Sequence, residues 1–287
     1  MTVTADASGT WQLGDLTVNR MGLGAMRLPA APDRAQAIAV LRRAVDLGVN
    51  HIDTAQFYFS PRRSANELIN SALAPYPDDL VITTKVWPAR DPSGEWWWAS
   101  PGQLRGQVEE NLRQLGRDYL DVVNLRIPGS KTDESIAEHF AVMAGLQKEG
   151  LIRHLGISSV KPAHLAEVQA IAPVVCVQNR YGIDDAGDDL LDICGQQGIA
   201  FVPFFAIAGE RNAAGGAADP TGPVLAVART HNATPAQIRL AWTLHRGPHV
   251  LAIPGTGDPG HLTDNIAAAA LRLSPDELTV LSGRPAG

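Results

Sequence analysis

The sequence predicts an α/β protein built as one (β/α)8 barrel, a TIM barrel, and three observations carry that prediction. Eight apolar runs of strand length alternate with segments of helical period, the pattern of parallel strands joined by right-handed crossovers. Several runs (VVCVQ, AFVPFF, VLAIP) are almost wholly apolar, as strands are when both faces are covered. Eight such units in 287 residues suit a closed barrel better than an open doubly wound sheet. One domain over 1–287 follows, with residues 1–9 expected to be flexible and no linker dividing the chain.

The chain opens on WQLGDLTVNR, a short β-hairpin turning at Gly14-Asp15 that can plug the barrel floor. Strands are expected at 20–24, 51–53, 80–85, 121–125, 154–158, 174–179, 200–204 and 250–254. Asp33 caps a helix through Leu47, which Gly48 ends. Ser100 with Pro101 opens a helix through Leu115, ended by Gly116. Further helices run from Ser135 to Lys148, Lys161 to Ala172 and Asp188 to Gln197, and Thr234 with Pro235 opens another. Residues 86–99 and 206–222 are irregular and fall after strands, at the rim where barrel enzymes keep their sites.

Composition narrows the function. Hydrophobic residues at 45% and charged residues at 19% describe a globular chain. A net charge of −6 argues against nucleic acid or an anionic membrane as the main partner. The two cysteines, Cys176 and Cys194, lack CxxC spacing, so neither a metal site nor a disulfide framework is expected. MTVTADASG has no basic or apolar leader character, and no apolar stretch is long enough to span a membrane. The expectation is a cytoplasmic enzyme, monomer or homo-oligomer, acting on a small molecule.

If the register holds, Asp53, Lys85, Arg126, Ser158, Gln178 and Asn179 converge at strand ends, with Tyr58 just beyond the second strand. Asp, Lys and Tyr together have a definite logic. A phenol donates its proton poorly at neutral pH until a cation stabilises the phenolate. A buried Lys supplies that cation and an Asp holds the Lys, so the assembly can protonate a carbonyl oxygen. Singly each residue has a plainer reading: Asp53 as a cap or structural ion partner, Tyr58 as packing, Arg126 as the partner of a nearby acid. A lysine closing an apolar strand is costly unless it is paired or functional.

NHIDTAQFY at 50–58, VITTKVW at 81–87, GISS at 156–159, VCVQN at 175–179 and IPGT at 253–256 resemble the aldo-keto reductase family, in family order across nearly the whole chain. The resemblance implies a barrel that binds an extended nicotinamide dinucleotide, with Asp53, Tyr58 and Lys85 catalytic. Arg126 stands where the family usually has His, as in a bacterial branch that includes pyridoxal reductases. A guanidinium there can orient a carbonyl and grip an adjacent phenolate in a bidentate manner.

The resemblance also implies a cofactor set. Gly24, Ala25 and Met26 lie beside the nicotinamide ribose, and Asp53 is shared with the catalytic group. Ser158 and Gln178 face the carboxamide, and Ser159 replaces the usual Asn. Phe204 stacks on the ring, while Ile207, Ala208 and Gly209 wrap the pyrophosphate. Gly255, Thr256, Asp258, His261, Asp264 and Asn265 surround the adenosine. NADPH is the expected cofactor, and Asp258 admits NADH or dual use, because an acid suits a free ribose better than a phosphate. Trp87, Trp96, Trp97, Trp98 and Arg126 are the substrate-facing candidates, the Trp run reading equally as loop packing or a dimer contact. The leading reading is an NAD(P)H-dependent carbonyl reductase. A nucleotide-binding regulatory subunit and a non-redox cyclase or dehydratase stand beside it.

Overall fold

The computed structural model describes residues 2–91, 93–129, 133–207 and 222–283. β1 (Thr10–Leu13) and β2 (Leu16–Asn19) form the antiparallel opening hairpin. Along the chain follow β3 (Leu23–Gly24), β4 (His51–Asp53), a short hairpin β5 (Phe59–Ser60) with β6 (Arg63–Ser64), and β7 (Val81–Val86). A second hairpin, β8 (Pro88–Arg90) with β9 (Trp96–Trp98), precedes β10 (Leu120–Arg126), β11 (Ile152–Ser158), β12 (Cys176–Gln178) and β13 (Ala200–Phe201). The sheet runs β3–β4–β7–β10–β11–β12–β13, parallel throughout.

The eighth predicted strand closes the ring by bonding alternately to both edges. Leu251 N donates to Phe201 O at 2.9 Å on one side, and Ala252 N donates to Arg20 O at 2.8 Å on the other. Pro254 has no N–H to donate, but its carbonyl accepts from Gly24 N at 3.1 Å, and Gly24 is bridged to Gly255. A Cβ on Gly24 would stand 2.7 Å from Ile253 O, and one on Gly255 2.8 Å from Gly24 O. Only two glycines let the first and last segments of the barrel meet.

The opening hairpin plugs the floor. Leu13 and Val18 are buried against Val81, Val122, Cys176, Ala200 and Leu251, one inward side chain from most barrel strands. Within the first nine residues, expected to be flexible, Ala5–Ser8 form a 3-10 turn with Ala5 and Ser8 buried. Ser8 Oγ donates to Ala5 O at 2.6 Å and accepts from Met21 N at 2.9 Å, which ties the turn to the barrel.

The outer helices are α1 (Arg34–Asp46), α2 (Ala65–Leu73), α3 (Leu104–Leu115), α4 (Ala137–Lys148) and α5 (Pro162–Gln169), then α6 (Leu190–Gln197), α7 (Gly222–Thr230), α8 (Pro235–Leu244), α9 (Pro259–Ala267) and α10 (Pro275–Leu281). Asp33 caps α1 by accepting from Gln36 N, and Thr234 caps α8 by accepting from Gln237 N. Among the described residues no helix is long and apolar enough to cross a membrane.

Midway up the barrel, His51 is fully enclosed. Its Nδ1 has no partner among the described residues, and its Nε2 lies 3.4 Å from Thr83 Oγ1. Burial pushes its pKa from 6.5 down to about 4; Asp53 opposes the shift and Lys85 adds to it. Between those two values the unfolded chain binds a proton that the folded chain does not, so stability falls as pH falls through that window. The loss amounts to about 3 kcal/mol once pH reaches the lower value. In urea titrations at neutral pH and near pH 4, His51→Asn is expected to flatten this slope by that amount. An unaltered slope would refute the burial of a neutral imidazole.

Candidate active site

β4 ends in Asp53 and its neighbour β7 carries Lys85, both almost wholly buried. Lys85 Nζ donates to Asp53 Oδ1 at 2.6 Å and to Thr54 O at 2.9 Å, which leaves its third N–H without an acceptor among the described residues. Asp53 Oδ2 accepts from Gln178 Nε2 at 2.7 Å. Either charge alone in this place would cost several kcal/mol, and the short pair with its extra hydrogen bonds offsets that. Tyr58 follows β4, and the ammonium sits 4.9 Å from the centroid of its ring. A cation is therefore fixed beside a phenol.

The strand ends are backed by a buried polar network. Thr54 Oγ1 donates to Asn66 Oδ1, Asn66 Nδ2 donates to Asn111 Oδ1, and Thr84 Oγ1 donates to the same oxygen. Every link is 2.9 Å or shorter, so α2 and α3 hold the residues flanking Asp53 and Lys85 in register.

Arg126 closes β10 opposite Ser158 of β11. Its guanidinium lies 5.2 Å over the Phe204 ring and has no carboxylate partner among the described residues. The plain ion-pair reading thus lacks its acid. A cavity of about 330 Å³ opens here, with Asp53, Tyr58, Arg126 and Gln178 on its polar side. Phe57, Trp96, Phe204 and Phe205 form its aromatic walls. Phe57 and Phe205 escape sequence reasoning because an aromatic in a loop carries no pattern.

The Trp run is not irregular. Asp91 accepts from Ser93 N and Glu95 N, turning the chain so that Trp96 pairs with Arg90 and Trp98 with Pro88. Alternation along β9 sets Trp97 on the face opposite Trp96 and Trp98. Trp96 lines the cavity and Trp98 stacks on it at 6.1 Å, whereas Trp97 and Trp98 are exposed outside the lining. Trp87 is a correction: its backbone φ is 95°, and its ring is buried against His139 at 4.0 Å, away from the cavity.

Ser158 Oγ and Gln178 Oε1 are buried with no hydrogen-bond partner among the described residues, on adjacent strands in register. Leaving such atoms unpaired costs about 1–3 kcal/mol each. A primary carboxamide donates N–H groups of the kind both atoms can accept, so the residues present fit the nicotinamide expected here. Ser159 holds a left-handed φ of 60°, a conformation that Asn adopts more readily than Ser. Phe205 and Trp87 have positive φ too, so three of the four such non-glycine residues among those described lie just past barrel strands at this rim.

A second cavity of about 600 Å³ joins the first across Arg27, Ile207 and Gly255. Thr256, Asp258, His261, Asp264 and Asn265 all line it, so the predicted adenosine residues do converge. Gly24, Met26 and Phe204 line the first cavity; Ala25 is buried and is not part of its lining. Arg27, which faces both cavities, is absent from the sequence reading although it directly follows Met26. Ala208 and Gly209 lie outside the described residues. Asp258 has a structural role as well. It is the N-cap of α9, its Oδ1 accepting from His261 N at 2.9 Å, and that backbone N–H holds its carboxyl below the ordinary range. Its Oδ1 thus serves the helix start while the residue still lines the cavity.

Residues 20–282 match the sequence pattern of the "Aldo/keto reductase family". Pyridoxine 4-dehydrogenase of Escherichia coli (strain K12) is 44% identical over 290 aligned positions, covering 96% of this chain and 98% of that protein. Methylglyoxal reductase YeaE of the same organism is 30% identical, covering 93% and 91%. An aldo/keto reductase from Klebsiella pneumoniae, solved with NADP and acetate, superposes with a TM-score of 0.79 at 28% identity, covering 93% of this chain and 91% of that one.

Proposed function

The chain belongs to the aldo/keto reductase family of carbonyl-acting oxidoreductases, and on that premise we propose that it reduces a flat aromatic aldehyde of the pyridoxal type with NADPH. The balance is aldehyde, NADPH and a proton giving alcohol and NADP⁺. The observation that carries the reading is the Asp53–Lys85 pair held beside the Tyr58 ring, at the edge of an aromatic cavity where no described carboxylate pairs with Arg126.

When bound, the nicotinamide supplies the hydride for the carbonyl carbon. Tyr58 gives its hydroxyl proton to the carbonyl oxygen as charge develops there. Lys85 stabilises the negative charge left on the phenol oxygen, and Asp53 keeps Lys85 in place and charged. Ser158, Gln178 and the Phe204 face hold and orient the ring. Arg27, at the junction of the two cavities, is placed to hold the pyrophosphate. The aromatic walls exclude water from the reacting atoms. A neutral aldehyde needs no cation here; a substrate with an ionised oxygen beside its aldehyde does, and Arg126 meets it with two parallel N–H donors. The name of the Escherichia coli relative supports the same substrate class. The non-redox alternative rests on Ser159, Asp258 and His261, and the unpaired Ser158 and Gln178 oxygens count against it; the Asp53–Lys85 pair beside Tyr58 favours turnover over a purely regulatory role. Two buried free thiols agree with a cytoplasmic setting.

Arg126→Met tests the substrate assignment. Without the charge-assisted bidentate grip, KM for pyridoxal should rise by roughly 10–100-fold. KM for an aromatic aldehyde lacking the adjacent oxygen should change by less than about threefold. Equal effects on both compounds would remove the reason for a phenolate-bearing substrate.

A further inference from the structure

Trp96 forms one wall of the cavity, yet it stands on a strand of three residues in a two-stranded hairpin and is 52% exposed. Hairpins of that size are marginal on their own, so something must hold the wall. The near end of the hairpin is anchored: Ala89 and Ala99 are buried, and Ala99 N donates to Trp87 O at 3.0 Å. At the far end Arg90 lies over two rings at once, 5.1 Å from the centroid of Phe59 and 5.4 Å from that of Trp96. Its Nε donates to Gly94 O at 3.1 Å across the turn. Asp91, its neighbour, has given its carboxylate oxygen to Ser93 and Glu95, and Arg90 makes no ion pair among the described residues. The guanidinium is thus shared between the Gly94 carbonyl and the two rings.

Phe59 directly follows Tyr58 and begins β5. The two hairpins on this rim are otherwise separate sheets. We propose that Arg90 is a positioning residue, the latch that ties the Trp hairpin to the segment carrying Tyr58 and so sets Trp96 as the fixed wall against which an aromatic substrate stacks. Phe57 completes the arrangement, edge-on to Trp96 at 5.5 Å between centroids. The latch acts on substrate fit and not on the proton or hydride, so it belongs in KM for aromatic compounds. The proposal rests on the reading of this cavity as the substrate site.

The test compares Arg90→Met, which keeps the stem length without the charge, and Arg90→Lys, which keeps a cation over the rings. With saturating NADPH, Arg90→Met should raise KM for pyridoxal about threefold to tenfold, the scale of one or two cation–π contacts, with a smaller change in kcat. The ratio of kcat/KM for pyridoxal to that for propionaldehyde should fall by the same factor, and Arg90→Lys should recover part of it. A second readout needs no turnover: acrylamide quenching of Trp emission in the free protein, taken as the difference from the matching Trp96→Phe variant. Arg90→Met should increase quenching of Trp96. If the wild-type protein turns nothing over, the proposed function fails while quenching still judges the latch. Unchanged quenching overturns the latch, as does an unchanged aromatic-to-aliphatic ratio in an active enzyme.

Discussion

Tyr58→Phe is expected to lower kcat for aldehyde reduction by roughly 10²–10⁴-fold, the contribution of a placed general acid. The substitution removes one oxygen and keeps the ring on which Lys85 Nζ rests at 4.9 Å and which Phe57 meets edge-on at 5.1 Å. The shape of the cavity and the buried ion pair therefore survive, and the affinity for NADPH, titrated by fluorescence, should stay within about twofold. That split is what distinguishes a proton donor from a packing residue, the plainer reading of an isolated loop tyrosine. A kcat within tenfold of wild type would mean that the proton reaches the carbonyl from elsewhere.

The second large effect concerns the pair beneath it. Lys85→Met removes the cation that stabilises the phenolate and leaves Asp53, 3% exposed, with the Gln178 amide as its side-chain donor. Activity should fall about as far as in the tyrosine variant, and unfolding free energy should drop by roughly 3–5 kcal/mol, the cost of orphaning one buried charge. Asp53→Asn with Lys85→Met removes both charges together. The double variant is expected to recover most of the stability in urea titrations and none of the activity. If it regained activity, the pair would be structural alone; if it stayed as unstable as the single variant, the buried-charge argument would be wrong.

Much of this was legible because parallel strands impose a shared direction. Once apolar runs of strand length were recognised, the last polar residue of each had to lie on one rim, and Asp53, Lys85, Arg126, Ser158 and Gln178 do. The floor plug was readable for a similar reason, since a hairpin with alternating apolar residues has few places to bury them. What resisted reading was set by contacts distant in sequence. α2 begins after Ser64, whose hydroxyl donates to Gln114 and makes no cap, so no start signal marks it. α9 carried its signal, Asp258 before Pro259, but the same acid also had a reading as a ribose ligand, which masked the cap. Trp87 sits one residue past its strand, where a left-handed backbone turns the ring away from the mouth. Arg27 shows no pattern at all until the two cavities are seen to meet at it.

Everything proposed for this site turns on the movement of a hydride to a carbonyl carbon. The most direct measurement is isotope transfer: NADPH deuterated at the transferring position of the nicotinamide ring, incubated with pyridoxal and the protein, and the alcohol weighed by mass spectrometry. The expected product is pyridoxine carrying one deuterium, formed by the wild-type protein and at a rate lower by orders of magnitude with Tyr58→Phe. Pyridoxine without deuterium, or no reduction of pyridoxal or any other aldehyde while NADPH is bound, would contradict it.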